Sequence, residues 1–110
     1  MSYRVLVVDD SKLARMSLTA VLRRLQPDWR CVEAATSDQA LEMLSREPLD
    51  IALIDFNMPG TDGLKLATAI RQTRPDMPIA IVSANIQTEI VTRARAIQAA
   101  FVTKPITDEA

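Results

Sequence analysis

Short apolar runs alternate along the chain with longer segments in which apolar residues recur every three or four positions. The runs at 5–8, 51–54 and 79–82 are continuously apolar, which is typical of strands buried on both faces of a parallel sheet. Weaker runs at 31–35 and 99–103 predict two further strands, the first of them suited to a sheet edge. Strands that alternate with helices in this way predict βαβ units with right-handed crossovers.

Capping residues and apolar stripes predict four helices between these strands. Ser11 is suited to cap the first helix, and Thr36 with Gln39 resembles a capping box before the second. Either Thr61 or Asp62 can cap the third. The apolar stripes are, in chain order, Ala14, Leu18, Val21, Leu22 and Leu25; Ala40, Met43 and Leu44; Leu64, Ala67 and Ile70; and Ile86, Ile90, Ala94 and Ile97. The predicted fold class is therefore α/β, a doubly wound open parallel sheet of five strands with helices on both faces.

The bulk properties of the chain exclude several classes of function. Its 110 residues have room for one domain, and a net charge of -1 argues against a surface that binds nucleic acid or an anionic membrane. Cys31 is the single cysteine, and no apolar run is long enough for a signal peptide or a membrane span, so a cytoplasmic protein is predicted. Because the sequence contains no histidine, any chemistry that needs an imidazole depends on a partner.

The central apolar run at 51–54 leads directly into Asp55, and Pro59, Gly60 and Gly63 then indicate a loop. In open α/β sheets, ligands bind at the carboxyl ends of the strands. Taken alone, Asp55 also fits an ordinary connection between a strand and a helix, with a solvated carboxylate. The ends of the other strands decide between these two interpretations.

Four predicted strands end in polar residues, which are Asp9 with Asp10, Asp55, Ser83 and Lys104. A doubly wound sheet brings such strand ends to one crevice. Three carboxylates in one crevice stay ionised together only if a cation neutralises them, and carboxylate oxygens suit Mg²⁺. Asp55 is then a candidate nucleophile that forms an acyl phosphate. Lys104 and Mg²⁺ would neutralise charge on the phosphoryl oxygens, and the hydroxyl of Ser83 would donate to one of them.

Each of these residues also has an ordinary structural explanation. Asp9 and Asp10 fit a turn that precedes a helix, Ser83 fits a solvated or capping hydroxyl, and Lys104 fits a surface charge. Phe101 fits a core position. Their occurrence at successive strand ends favours the functional interpretation.

Four short motifs occur in order along the chain: DD at 9–10, DFNMPGTDG at 55–63, SA at 83–84 and KP at 104–105. With these motifs the chain resembles the receiver domain of two-component response regulators over nearly its whole length. The resemblance implies a flavodoxin-like fold with strand order 2-1-3-4-5. It also implies one receiver domain over residues 1–110, truncated after the last strand.

The resemblance assigns roles to the three acids and to Asn57, two positions after Asp55. It implies that Asp55 is the phosphorylated aspartate. It implies that Asp9 and Asp10 bind Mg²⁺ together with Asp55, and that the backbone carbonyl of Asn57 is a further ligand.

The resemblance also assigns residues at the last two strands. It implies that Ser83 is the hydroxyl that turns toward the phosphoryl group and that Lys104 pairs with this group. A cis peptide is implied between Lys104 and Pro105. Phe101 resembles the aromatic residue whose burial reports activation in the family.

Two departures from the family pattern concern the end of the chain. The segment between Ser83 and Lys104 is slightly shorter than usual and carries Ile97 and Gln98 where the family commonly has a glycine turn. The second departure is that residues 107–109 read as the capped start of a helix that does not continue. We therefore expect the fifth helix of the family to be missing.

The predicted function is a phosphorylation-dependent signalling switch that is not an enzyme beyond its own phosphorylation and dephosphorylation. The resemblance implies a sensor histidine kinase or phosphotransfer protein as phosphodonor, and an effector protein or output domain as target.

The first alternative is a receiver-like module that docks or forms a homodimer without phosphorylation, which the missing helix favours. An aspartate-nucleophile phosphatase is disfavoured because Asn57 stands where such enzymes have an acid. A flavin site is disfavoured because the chain has only one Trp and one Tyr that could stack on the flavin ring.

Overall fold

A five-stranded parallel sheet organises the computed structural model, which describes residues 3–58, 61–84 and 87–103. Its strands are β1 (Arg4–Val8), β2 (Arg30–Ala34), β3 (Ile51–Asp55), β4 (Ile79–Ser83) and β5 (Ala100–Thr103). The helices of the described residues are α1 (Lys12–Leu25), α2 (Ser37–Arg46), α3 (Gly63–Thr73) and α4 (Thr88–Ala96). The backbone segments Asn57–Met58 and Thr61–Asp62 form a short antiparallel hairpin between β3 and α3. The predicted α/β class is confirmed.

The strands lie in the order β2-β1-β3-β4-β5, and every neighbouring pair is parallel. This order is the one that the family resemblance implied. The mixed strand β2 lies at an edge, as its weak apolar pattern predicted. Because all five strands point the same way, their carboxyl ends share one edge of the sheet.

The two faces of the sheet bury different amounts of apolar surface. Alternate residues of β1 point to opposite faces, so Leu6 and Val8 join the larger cluster with α2, α3 and α4. Val5 and Val7 join the smaller cluster, which α1 covers through Leu18. The predicted absence of a fifth helix concerns residues 104–110, which lie outside the described residues.

Side-chain caps begin three helices as the sequence predicted. The hydroxyl of Ser11 accepts a hydrogen bond from the Ala14 amide at 3.2 Å, and Asp62 rather than Thr61 caps α3. At α2, Thr36 accepts from the Gln39 amide at 3.1 Å. The side chain of Gln39 reaches back to the Ala35 amide, 2.8 Å away, one residue before the partner expected in a capping box.

The ends of two predicted apolar stripes differ from expectation. Leu25 is 52% exposed, because α1 ends at this residue and its buried stripe finishes one turn earlier, at Val21. Ile86 lies outside the described residues. Ile97 follows α4 as its C-cap and packs against the larger cluster. Among residues 3–58, 61–84 and 87–103, no helix has the length and apolar content that a membrane span requires.

The turn after α4 lies where the sequence departs from the family's glycine pattern. Gln98 has φ 58°, a left-handed conformation that normally favours glycine. Its amide donates to the Arg95 carbonyl, and the Ala99 amide donates to the Ala94 carbonyl, both at 2.9 Å. These two bonds define a Schellman motif. A glutamine therefore occupies the backbone position that a glycine usually holds in such a motif.

Candidate functional site

Adjacent strands bring three aspartates to the carboxyl edge of the sheet. Val8 of β1 lies opposite Ile54 of β3, so Asp9 follows β1 where Asp55 ends β3. One carboxylate oxygen each from Asp9, Asp10 and Asp55 lie within 4.8 Å of one another. Asp9 is 1% exposed and Asp55 is 5% exposed, whereas Asp10 is exposed. We call these three residues the acid cluster.

Asp9 is held through both its backbone and its side chain. Its amide donates to the Ala34 carbonyl at 3.1 Å, which ties it to β2. Its Oδ1 accepts from the Ser11 amide at 3.0 Å. Because Ser11 caps α1, this carboxylate also lies close to the positive end of the α1 dipole. These contacts stabilise a buried carboxylate that would otherwise be costly to keep charged.

The opposite side of the acid cluster depends on Gly63, the first residue of α3. A Cβ atom at this position would lie 2.2 Å from the Asp55 carbonyl oxygen and 3.0 Å from Cγ2 of Ile54. The Gly63 amide donates to the Phe56 carbonyl at 2.8 Å, which holds the start of α3 against the end of β3. The sequence counted Gly63 among the residues that indicate a loop, and the structure makes it the first residue of α3, directly after the Asp62 cap. It is a buried helix residue that must lack a side chain.

Ser83 and Phe101, two further predicted site residues, lie on β4 and β5. Ser83 ends β4 and is 1% exposed, one residue beyond Val82, which pairs with Asp55. Phe101 lies opposite Ile81 on β5 and is partly buried against the larger cluster, away from the strand ends. The structure thus places Ser83 at the edge that carries the acid cluster and Phe101 in the packed part of the sheet.

Of the remaining predicted site residues, the structure describes Asn57 but not Lys104 or Pro105. Asn57 is exposed in the short hairpin that follows Asp55. Thr103, the last described residue, lies opposite Ser83 at the end of β5. Lys104 and Pro105 follow it and lie outside the described residues, as does the peptide between them.

The acid cluster has the chemistry of a site for a hard divalent cation. Its donors are carboxylate oxygens, the ligands that Mg²⁺ prefers, and one of the three acids is exposed to solvent. Mg²⁺ commonly keeps several waters and takes one or two carboxylates, so an open cluster suits it better than a closed cage. A cation would also relieve the repulsion among three carboxylates.

The sequence matches the response regulator receiver domain family over residues 5–110. The chain belongs to this family. Over 106 residues it is 35% identical to the response regulator protein PilR of Pseudomonas aeruginosa, covering 94% of this chain and 23% of PilR. Over 109 residues it is 37% identical to a protein-glutamate methylesterase/protein-glutamine glutaminase of Methylobacillus flagellatus, covering 96% of this chain and 30% of that protein. This receiver domain therefore spans less than a third of these two relatives.

Solved structures agree with the family assignment. The chemotaxis protein CheY4 of Vibrio cholerae superposes with a TM-score of 0.89 at 25% identity, over 99% of this chain and 92% of that one. TrrA of Thermotoga maritima, in complex with Mg²⁺-BeF, gives a TM-score of 0.83 at 27% identity, over 96% of this chain and 89% of the TrrA chain. Both likenesses confirm the predicted flavodoxin-like fold.

Proposed function

We propose that this receiver domain is a phosphorylation-dependent switch of a two-component system and that Asp55 is its phosphoacceptor. The observation that carries the proposal is the acid cluster, in which Asp55 shares one edge with Asp9 and Asp10. Membership of the family favours this function over a docking module that ignores phosphorylation. An aspartate-nucleophile phosphatase is again disfavoured because the residue two positions after Asp55 is Asn57.

The acid cluster would hold Mg²⁺ through Asp9, Asp10 and Asp55, with the carbonyl of Asn57 as a further ligand. When bound, Mg²⁺ would neutralise charge on the phosphoryl oxygens of the incoming group. The donor set supports this assignment, and so does the Mg²⁺-BeF complex of TrrA. Asp9 is held in place by the Ser11 amide, which donates to its Oδ1.

The proposed transfer forms one bond and breaks another. A carboxylate oxygen of Asp55 bonds to the phosphorus of a phosphohistidine while the phosphorus–nitrogen bond breaks. The electron pair of that bond stays on the imidazole nitrogen, which then takes a proton. Because these 110 residues contain no histidine, we assign the imidazole to a sensor histidine kinase or a phosphotransfer protein.

The proposed response to phosphorylation begins at the neighbouring strands. A phosphoryl group adds charge and strong acceptor oxygens at Asp55. We assign Ser83 to donate to one of these oxygens and Lys104 to pair with the group. Ser83 ends β4, which leads toward α4, and Phe101 lies on the adjacent β5. A shift of this region would change the affinity for an effector protein or output domain.

Intact-mass spectrometry tests the phosphoacceptor. The protein is incubated with acetyl phosphate with and without MgCl₂, alongside Asp55→Asn and the control Asp76→Asn, which changes an exposed acid in the turn before β4. We expect wild type and Asp76→Asn to gain one phosphoryl group in a Mg²⁺-dependent way and Asp55→Asn to gain none. An unchanged wild-type mass with several phosphodonors, or equal labelling of Asp55→Asn, would contradict the proposal.

A further inference from the structure

Arg15 on α1 contacts the backbone that carries two members of the acid cluster. Its side chain is only 14% exposed. Its Nη1 donates to the carbonyl oxygen of Asp9 at 2.6 Å, and its Nε donates to Oε1 of Glu33 at 2.9 Å. A guanidinium that is mostly buried and donates in two directions is held in one orientation.

The carbonyl that Arg15 contacts belongs to the peptide unit joining Asp9 to Asp10. Because this unit is planar, a donor that fixes its oxygen also fixes the direction in which the chain enters Asp10. The amide of Asp9 is tied to Ala34 of β2, and its Oδ1 accepts from the Ser11 amide. Arg15 therefore completes a set of contacts that sets where both carboxylates lie.

Glu33 anchors Arg15 from the neighbouring strand. It precedes Ala34 in β2 and lies opposite Val7 of β1. Its carboxylate offsets part of the charge of Arg15, and any positive charge that remains would oppose Mg²⁺ binding, so a favourable effect of Arg15 cannot come from charge. The effect of Arg15 on a bound cation should therefore come from geometry.

We propose that Arg15 is a positioning residue for the Mg²⁺ site and that Glu33 holds it in place. This inference rests on the proposed function of the acid cluster. Contacts behind the primary ligands of a metal commonly change its affinity by about 10- to 100-fold. Arg15 contacts a backbone oxygen rather than a ligating carboxylate, so we expect an effect of about 10-fold, at the lower end of that range.

The test is a Mg²⁺ titration followed by backbone amide chemical shifts, which gives a dissociation constant for each variant. Arg15→Met removes both hydrogen bonds, and Glu33→Ala removes the anchor while leaving Arg15 in place. Glu33→Gln keeps an oxygen acceptor and removes only the charge. Arg46→Met is the control, since Arg46 pairs with Glu42 on the exposed side of α2 at 2.8 Å.

We expect Arg15→Met to raise the Mg²⁺ dissociation constant about 10-fold and Glu33→Ala to raise it by less. Glu33→Gln should fall between wild type and Glu33→Ala, because it keeps the acceptor for Arg15 but no longer balances its charge. The Arg46 control should match wild type. The double variant Arg15→Met with Glu33→Ala should bind Mg²⁺ no more weakly than Arg15→Met alone, because both changes break the same connected set of contacts. Urea unfolding without Mg²⁺ measures any loss of stability separately from the loss of affinity.

Several results would overturn this proposal. If only charge mattered, Arg15→Met would remove a positively charged side chain near the site and would leave Mg²⁺ affinity unchanged or raise it. Either result would refute the positioning role. Equal affinity in wild type and both Arg15→Met and Glu33→Ala would refute positioning while leaving the proposed function intact. If Mg²⁺ caused no saturable change in the amide chemical shifts around the acid cluster of wild type, the metal site itself would be refuted, and this proposal with it.

Discussion

Replacement of Gly63 by alanine should both destabilise the fold and disturb the site. The added Cβ would lie 2.2 Å from the Asp55 carbonyl oxygen, whereas real Cβ atoms essentially never approach closer than 3.0 Å. Either α3 or the end of β3 must therefore move by about 0.8 Å, the difference between these two distances. The nearest atom belongs to the backbone beneath the acid cluster, so it cannot turn away as the end of a flexible side chain would.

The expected loss of stability follows from three contributions. Overpacking against a backbone atom costs up to about 3 kcal/mol, and weakening the bond from the Gly63 amide to Phe56 costs about 1 kcal/mol. Alanine restricts the unfolded chain, which offsets about 0.5–1 kcal/mol of this loss. The net loss is about 3 kcal/mol, and with an unfolding entropy of about 2.1 cal/mol/K per residue it lowers Tm by roughly 13 °C.

Urea unfolding followed by the fluorescence of Trp29, the single tryptophan, measures this change. Lys65→Ala is the matched control, since it alters an exposed position in the same first turn of α3. The control should change the free energy of unfolding by less than about 0.5 kcal/mol. If Gly63→Ala stays within about 1 kcal/mol of wild type, the close approach of α3 to Asp55 is not a real constraint.

Three further predictions concern the rest of the molecule. Gln98→Gly should raise the free energy of unfolding by about 0.5–1 kcal/mol, because glycine tolerates the left-handed conformation; unchanged or lower stability in urea would contradict this. Arg71 donates to five backbone carbonyls, including those of Ile97 and Met77. Arg71→Met should therefore cost about 3 kcal/mol by the same assay, and a loss below about 1 kcal/mol would contradict a stabilising role for these hydrogen bonds. Burial raises the pKa of the Cys31 thiol, so at about pH 8 iodoacetamide should label folded protein more slowly than urea-unfolded protein, and equal rates would refute this.

The sequence was sufficient to predict the elements and three of their caps because those signals are local. A continuous apolar run favours a strand buried on both faces, and a hydroxyl or carboxylate before an apolar stripe favours a helix start. Ser11, Thr36 and Asp62 act as such caps in the structure. The sequence also predicted that acids from β1 and β3 meet, because parallel strands deliver their carboxyl ends to one edge. The strand order itself came from resemblance to the family, since apolar patterns do not say which strands pair.

Contacts between distant segments were decided by the tertiary structure. Gly63 reads as a loop residue in the sequence, and only the approach of α3 to Asp55 shows that a side chain has no room there. Arg15 and Glu33 are 18 positions apart, and they meet because β2 pairs with β1 beside α1.

The sequence by itself thus determined which residues form strands and helices and which acids reach the sheet edge, because hydrophobic periodicity and capping act over a few residues. Tertiary structure decided how closely α3 approaches Asp55 and which side chain fixes the peptide between Asp9 and Asp10. These are distances between segments that are far apart in the chain. They are set by how whole elements pack, and a local pattern carries no information about that packing.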